Sequence, residues 1–112
     1  MPDVCIATEN MTFAVDEEVN LLCEIKNPKL FATAKWIREK TKETLEVANI
    51  SYDEHPKFFY HQFPHEIAKA STKDEGIYTC LANFSGYGPV EAWYELQVRG
   101  KWCYNCRFVL QG

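Results

Sequence analysis

The run Asp74-Glu75-Gly76-Ile77-Tyr78-Thr79-Cys80 decides how this chain is read. Asp74 and Gly76 are turn residues, and the residues after them alternate along a strand, so Tyr78 and Cys80 share one face. An earlier segment has the same period: Val19, Leu21, Cys23 and Ile25 occupy every second position, with Asn20 and Glu24 among the residues between them. Trp36 follows Cys23 by 13 residues, and Cys80 follows it by 57. This order describes two β-sheets packed face to face and pinned by a Cys23–Cys80 disulfide. The indole of Trp36 lies against the sulfurs, and the Tyr78 hydroxyl turns back to the bend that precedes its strand. The expected fold is an all-β sandwich of two antiparallel sheets with seven or eight strands.

Turn residues bound the other strands. Val4 to Val15 reads as a first strand region broken near Glu9-Asn10, and Asp16-Glu17-Glu18 makes the turn into the Cys23 strand. Asn27-Pro28 ends that strand. Ala34 to Arg38 follows around Trp36, then a charged turn over Glu39 to Glu43 and a short strand from Leu45 to Asn49. Ser51 to Pro64 places Phe58, Phe59, Tyr60 and Phe63 between two prolines and is read as holding one edge strand, where proline is tolerated. A further strand is expected over Glu66 to Ala70, with Ile67 inward. Ile77 to Asn83 carries Cys80, and Ser85-Gly86-Tyr87-Gly88-Pro89 turns it into a last strand from Val90 to Arg99. Residues 1–100 form one domain on this reading, and 101–112 a stalk or linker.

A chain of 112 residues is one domain and can bury a core of this kind without a metal. Its net charge of −4, with both signs interspersed, offers no basic stripe to neutralise phosphates, so nucleic acid is not an expected partner. Seven Phe, six Tyr and three Trp supply a β core with aromatic surface left over for contact. Five cysteines point to an oxidising compartment. The tripeptides Asn10-Met11-Thr12, Asn49-Ile50-Ser51 and Asn83-Phe84-Ser85 are N-glycosylation acceptors and point the same way, to an extracellular or cell-surface setting. Met1 to Thr8 lacks the basic and apolar regions of a signal peptide, and no apolar run approaches the length of a membrane span. The expectation is a mature ectodomain or one domain of a longer protein, with membrane attachment outside this stretch.

With Trp36, Tyr78, Cys80, Leu96 and Val98 inward, alternation sends Lys35, Ile37, Glu39, Thr79, Leu81, Trp93 and Glu95 to the outer face of their sheet. Leu81, Trp93 and Ile37 make an apolar centre, and Lys35, Glu39 and Glu95 a charged margin, the composition of a protein-recognition surface. The plain alternative is that the domain's own edge covers Trp93. Asn83 projects to the same face, where a glycan would shield or bound the surface. Tyr87, on the glycine-rich turn, is a second contact candidate beside simple turn chemistry.

No catalytic constellation is present. Gly86-Tyr87-Gly88 joins two strands with no helix after it, so it is not a phosphate cradle. His55, His61 and His65 are irregularly spaced, and a solvated edge explains them more simply than a metal site or pH sensor. No nucleophile motif, cofactor site or metal site is expected, and the chain reads as non-enzymatic. Cys5, Cys103 and Cys106 remain once Cys23 pairs with Cys80. A second bridge from Cys5 to Cys103 or Cys106 is one reading. The other is a structural or stalk disulfide at Cys103-Tyr104-Asn105-Cys106, with a dimer through Cys103 or Cys106 a further outcome. Zinc or redox chemistry at that pair lacks further ligands and a βαβ context.

These elements together resemble an immunoglobulin-superfamily domain of intermediate or variable-like type over Val4 to Arg99. Ser71 to Cys80 and Ser85 to Pro89 look like the corresponding part of Thy-1, a lipid-anchored single-domain surface glycoprotein. That resemblance implies an early cysteine bridged to one just past the last strand. Arg99 to Cys106 is similar to the Cys-x-x-Cys stalk of CD3 chains in the T-cell receptor complex. The family resemblance implies an extracellular recognition or adhesion domain of a surface glycoprotein or receptor that binds a protein ligand or co-receptor. Two alternatives stand beside it: an assembly module of a receptor complex joined through the C-terminal cysteines, and an intracellular scaffold domain.

Overall fold

The computed structural model describes residues 3–6, 10–26, 31–50 and 60–100, with Tyr60 described by its backbone alone. Among the described residues, eight strands form two sheets. The three-stranded sheet has the order β1 (Asp3–Cys5), β3 (Val19–Lys26), β6 (Tyr60–Ile67). The five-stranded sheet has the order β2 (Asn10–Ala14), β8 (Gly88–Arg99), β7 (Gly76–Phe84), β4 (Ala32–Arg38), β5 (Glu43–Ile50). All pairings are antiparallel except β2 with β8, which is parallel.

The first strand region is broken as expected, and the two pieces belong to different sheets. β1 pairs β3, whereas β2 pairs the far end of β8, from Glu95 to Arg99. Between β6 and β7, Ala70 is buried and exchanges backbone hydrogen bonds with Asp16 and Glu17 at 2.8 Å each, which closes that end of the sandwich.

One expected strand is displaced. No separate strand covers Glu66 to Ala70; a single strand runs from Tyr60 to Ile67 and pairs with all of β3. The edge strand expected within Ser51 to Pro64 is this strand, and it continues past Pro64: β6 is the edge of its sheet, where one side of the backbone is unpaired, so a missing N–H is harmless. Ile67 does pack against the core. Residues 51–59 lie outside the described residues.

The core confirms the phase read from the cysteines. Val19, Leu21, Cys23, Ile25, Trp36, Tyr78 and Cys80 have no exposed surface. Cys23 and Cys80 form the inter-sheet disulfide with a Cα–Cα distance of 6.4 Å. Trp36 lies between Phe63 and Tyr94, with ring centroids 6.4 and 6.0 Å away, and its Nε1 donates to the Phe63 carbonyl at 2.9 Å. A buried indole needs that acceptor, because its N–H has no other role in an apolar core.

The Asp74 turn is built from the motif's own atoms. Tyr78 Oη donates to the Asp74 carbonyl at 2.6 Å, and the Asp74 carboxylate accepts from the Ser71 backbone N–H at 2.8 Å. Arg38 stands 3.6 Å from the same carboxylate and 5.7 Å from the Tyr78 ring centroid. Burial pushes the Tyr78 phenol above its ordinary value, with the Arg38 charge acting against that shift. Tyr94 is raised by burial too, opposed by its bond to the Leu22 carbonyl, and that bond ties the two sheets together at 2.8 Å.

Candidate functional site

The outer face of the five-stranded sheet is built by strand register. Leu81 pairs with Lys35 on one side and Glu91 on the other, and Lys35 pairs in turn with Val47. One step down, Thr79 pairs with Ile37 and Trp93, and Ile37 with Thr44. A further step down, Ile77 pairs with Glu95, and Glu95 with Asn10 of β2. Partners in register point to the same side of a sheet, so each row lies across one surface.

This arrangement brings together every outward residue expected from the sequence. Trp93 is 50% exposed and half covered, with Cys5, Ile6 and Glu91 lining the groove on its β1 side. The first strand therefore neighbours the indole across this groove, and half of the side chain stays in solvent. Leu81 and Ile37 are partly buried, and Lys35 and Glu95 are exposed. Thr79 points outward yet is 5% exposed, because Ile37 and Trp93 flank it and Glu39 folds over it. Its hydroxyl donates to Glu39 Oε2 at 2.6 Å, and Lys42 Nζ donates to the other Glu39 oxygen at the same distance. These bonds, Lys42 first and Thr79 second, hold the Glu39 carboxyl below its usual range.

Two apolar residues of this face were not in the expected set. Ile77 is 42% exposed and Val47 is 70% exposed. Ile77 follows from the same parity that turned Tyr78 inward. Val47 lies on β5, a strand for which the sequence reading assigned no facing. The register shifts between Trp36 and Ile37, and Leu45, Ala48 and Ile50 pack against the core while Val47 faces out. Val47 and Leu81 line a shallow groove with Thr33, Lys35, Thr44 and Asn83.

Tyr87 is 57% exposed in the β7–β8 turn, where Gly86 and Gly88 have φ of 82° and 84°. Those angles strain any residue with a Cβ, so the turn chemistry accounts for both glycines. Tyr87 stands away from the Trp93 rows, beyond Asn83, and is not part of the patch.

Among the described residues no three His, Cys, Asp or Glu side chains cluster as metal ligands. His65 Nδ1 lies 2.9 Å from Glu46 Oε2 and its ring stacks on Tyr78, so it bridges the two sheets. His55, Cys103 and Cys106 lie outside the described residues. Cys5 is an exposed free thiol on β1.

Immunoglobulin domain is the family matched, over residues 9–90. No curated protein matches the chain. Among solved structures, the complex of Dpr1 IG1 with DIP-eta IG1 aligns at 18% identity over 88% of this chain and 96% of that one, with a TM-score of 0.66. The RIG-5 IG1 homodimer aligns at 14% identity over 88% and 97%, with a TM-score of 0.68. The Ig1 domain of mouse SynCAM 2 aligns at 18% identity over 85% and 95%, with a TM-score of 0.63. At such identities these likenesses speak for the fold, which the paired sheets, the disulfide and the buried tryptophan establish independently. The chain belongs to the immunoglobulin domain family.

Proposed function

We propose that this domain is an extracellular, non-enzymatic recognition module that docks another protein on the outer face of its five-stranded sheet. The observation that carries this reading is Trp93: a tryptophan half exposed on a strand, with Ile77, Ile37, Leu81 and Val47 on the same face. Exposed indoles surrounded by partly buried apolar side chains are where interface energy concentrates. Lys35, Glu91 and Glu95 supply a rim of both signs, which sets orientation and partner choice more than affinity. The solved structures support the reading by their own descriptions, since two of them are immunoglobulin domains held in pairs, one with a different domain and one with its own copy.

The cell-surface setting rests on the disulfide and the three acceptor tripeptides. A second reading, assembly through cysteines, is favoured by one observation. Five cysteines minus the Cys23–Cys80 pair leave an odd number, and Cys5 is exposed. A bridge from Cys5 to Cys103 or Cys106, or a disulfide within the Cys103–Cys106 stalk, leaves one thiol for a partner chain. The resemblance of this stalk to CD3 chains and of the domain to Thy-1 belongs to the same proposal.

The experiment is a binding screen of the wild-type domain and Trp93→Ala against a panel of recombinant ectodomains that includes the domain itself. The expected result is a wild-type partner whose affinity falls at least tenfold in the variant. Equal affinity of both proteins for that partner would remove the outer face as the site.

A further inference from the structure

The three acceptor asparagines share one surface. Asn10 is on β2, Asn49 on β5 and Asn83 on β7, all strands of the five-stranded sheet. Register places them on its outer side. Asn10 pairs with Glu95, and Asn83 pairs with Thr33, which pairs with Asn49. Each acceptor tripeptide has an apolar middle residue turned into the core. Phe84 is 1% exposed, Ile50 is 8% exposed, and Met11 packs against the core from β2. With the middle residue held inward, the pleat drives the asparagine outward, and all three are exposed. No acceptor tripeptide lies on β1, β3 or β6, so the opposite sheet is bare of them.

We propose that N-linked glycans at Asn10, Asn49 and Asn83 cover the outer face of the five-stranded sheet, so that their occupancy decides whether its apolar rows can meet another protein. The modification transfers an oligosaccharide from a lipid-diphosphate donor to the asparagine amide nitrogen. The bond from sugar C1 to the diphosphate oxygen breaks, the C1–N bond forms, and the amide proton leaves with the lipid diphosphate. Strand spacing and rise set the coverage. Asn10 lies one strand and two residues from Trp93, roughly 8 Å between Cα atoms. Asn83 is one strand and four residues away, roughly 14 Å, and Asn49 is at the far edge, roughly 20 Å away. Asn49 and Asn83 are separated by a single strand, roughly 10 Å, and flank the groove of Val47 and Lys35. Flexible oligosaccharides anchored at these points screen a flat partner from the rows between them while leaving small solutes free to enter.

This inference rests on the reading of the domain as exported and of the outer face as its docking surface. Its test needs no partner. The protein is made in a glycosylating eukaryotic host on a Trp102→Phe background, and site occupancy is measured by peptide mass spectrometry. Trp36 is fully buried, so Trp93 alone among the described tryptophans meets a collisional quencher. Quenching by acrylamide is compared with quenching by a nitroxide carried on dextran, before and after enzymatic removal of the glycans from the folded protein. The expected result is occupancy at all three sites, a several-fold rise in dextran-borne quenching on deglycosylation, and little change with acrylamide. Asn10→Gln should raise it more than Asn49→Gln, following the distances. Unoccupied asparagines, or equal dextran-borne quenching before and after deglycosylation, would overturn the proposal. Shielding of Trp93 together with unchanged partner affinity in Trp93→Ala would retire the outer face as a docking surface while leaving its coverage by glycans established.

Discussion

The Thr79 hydroxyl donates to the Glu39 carboxylate at 2.6 Å across the outer surface of the sheet. This contact turns a polar residue in the middle of the apolar rows into a covered one and fixes the β4–β5 turn over it. Lys42, with φ of 60°, completes the arrangement from the other side of the turn.

A pH dependence follows from that geometry. Glu39 has its pKa lowered by Lys42 and then by Thr79 in the folded protein. A depressed carboxylate pKa contributes stability that is present above the unfolded value, about 4.3, and lost as the pH falls through the folded one. Glu39→Gln should therefore be less stable than wild type at neutral pH, and the difference should close in acid as the pH falls through the lowered folded-state value. The group is partly exposed, so the effect is small and shrinks further with added salt. Thermal scans from pH 7 downwards check it.

The two buried tyrosines should ionise late. Tyr78 and Tyr94 are raised above the ordinary value, chiefly by burial. A raised pKa contributes stability that is complete below the unfolded value, about 10, and is lost as pH rises through the folded one. Absorbance titration should show these two ionisations late and accompanied by alkaline unfolding. Tyr78→Phe, which deletes the hydroxyl bonded to the Asp74 carbonyl and facing Arg38, should cost about 1 kcal/mol.

The cysteines should separate just as clearly. Replacing Cys23 and Cys80 together by alanine opens a loop of 57 residues and should cost roughly 4 kcal/mol by the loop-entropy relation. Cys5→Ser should leave stability within about 0.5 kcal/mol, because the thiol is exposed on an edge strand. Denaturant midpoints of the three proteins distinguish the two outcomes.

The sandwich was legible because its signals are periodic and local. Cys23, Trp36, Tyr78 and Cys80 set one phase, and alternation carried it along β3, β4, β7 and β8 without error. Legibility failed where tertiary context decides. An edge strand was legible before Pro64, but not that it runs on to Ile67 in place of a separate strand over Glu66 to Ala70, because its pairing with β3 decides where it ends. The facing of Val47 was not legible, because the irregularity at Trp36 and Ile37 moves the β5 register by one residue, and a one-residue shift exchanges the two faces. The outer patch was visible as parity, but not its covering: the fold of Glu39 over Thr79 and the edge of β1 beside Trp93 are contacts between distant segments. The convergence of Asn10, Asn49 and Asn83 on one face also had to await the assignment of β2 and β5 to the same sheet.

The last prediction sets two tryptophans against each other. Trp36 has no exposed surface, stacks between Phe63 and Tyr94, and donates its indole hydrogen to a backbone carbonyl. Trp36→Ala opens a cavity and orphans that carbonyl, and should cost about 3–5 kcal/mol, a large share of the stability of a domain this size. Trp93 keeps half of its surface in water and donates no hydrogen bond to the described residues. Trp93→Ala should change stability by less than about 1 kcal/mol. If the outer face recognises a protein, the same substitution should cost about 2 kcal/mol or more in binding, since a central indole loses its packing only in the complex. Urea unfolding and titration calorimetry on both variants separate a residue that holds the sheets together from one that the sheets hold out to a partner.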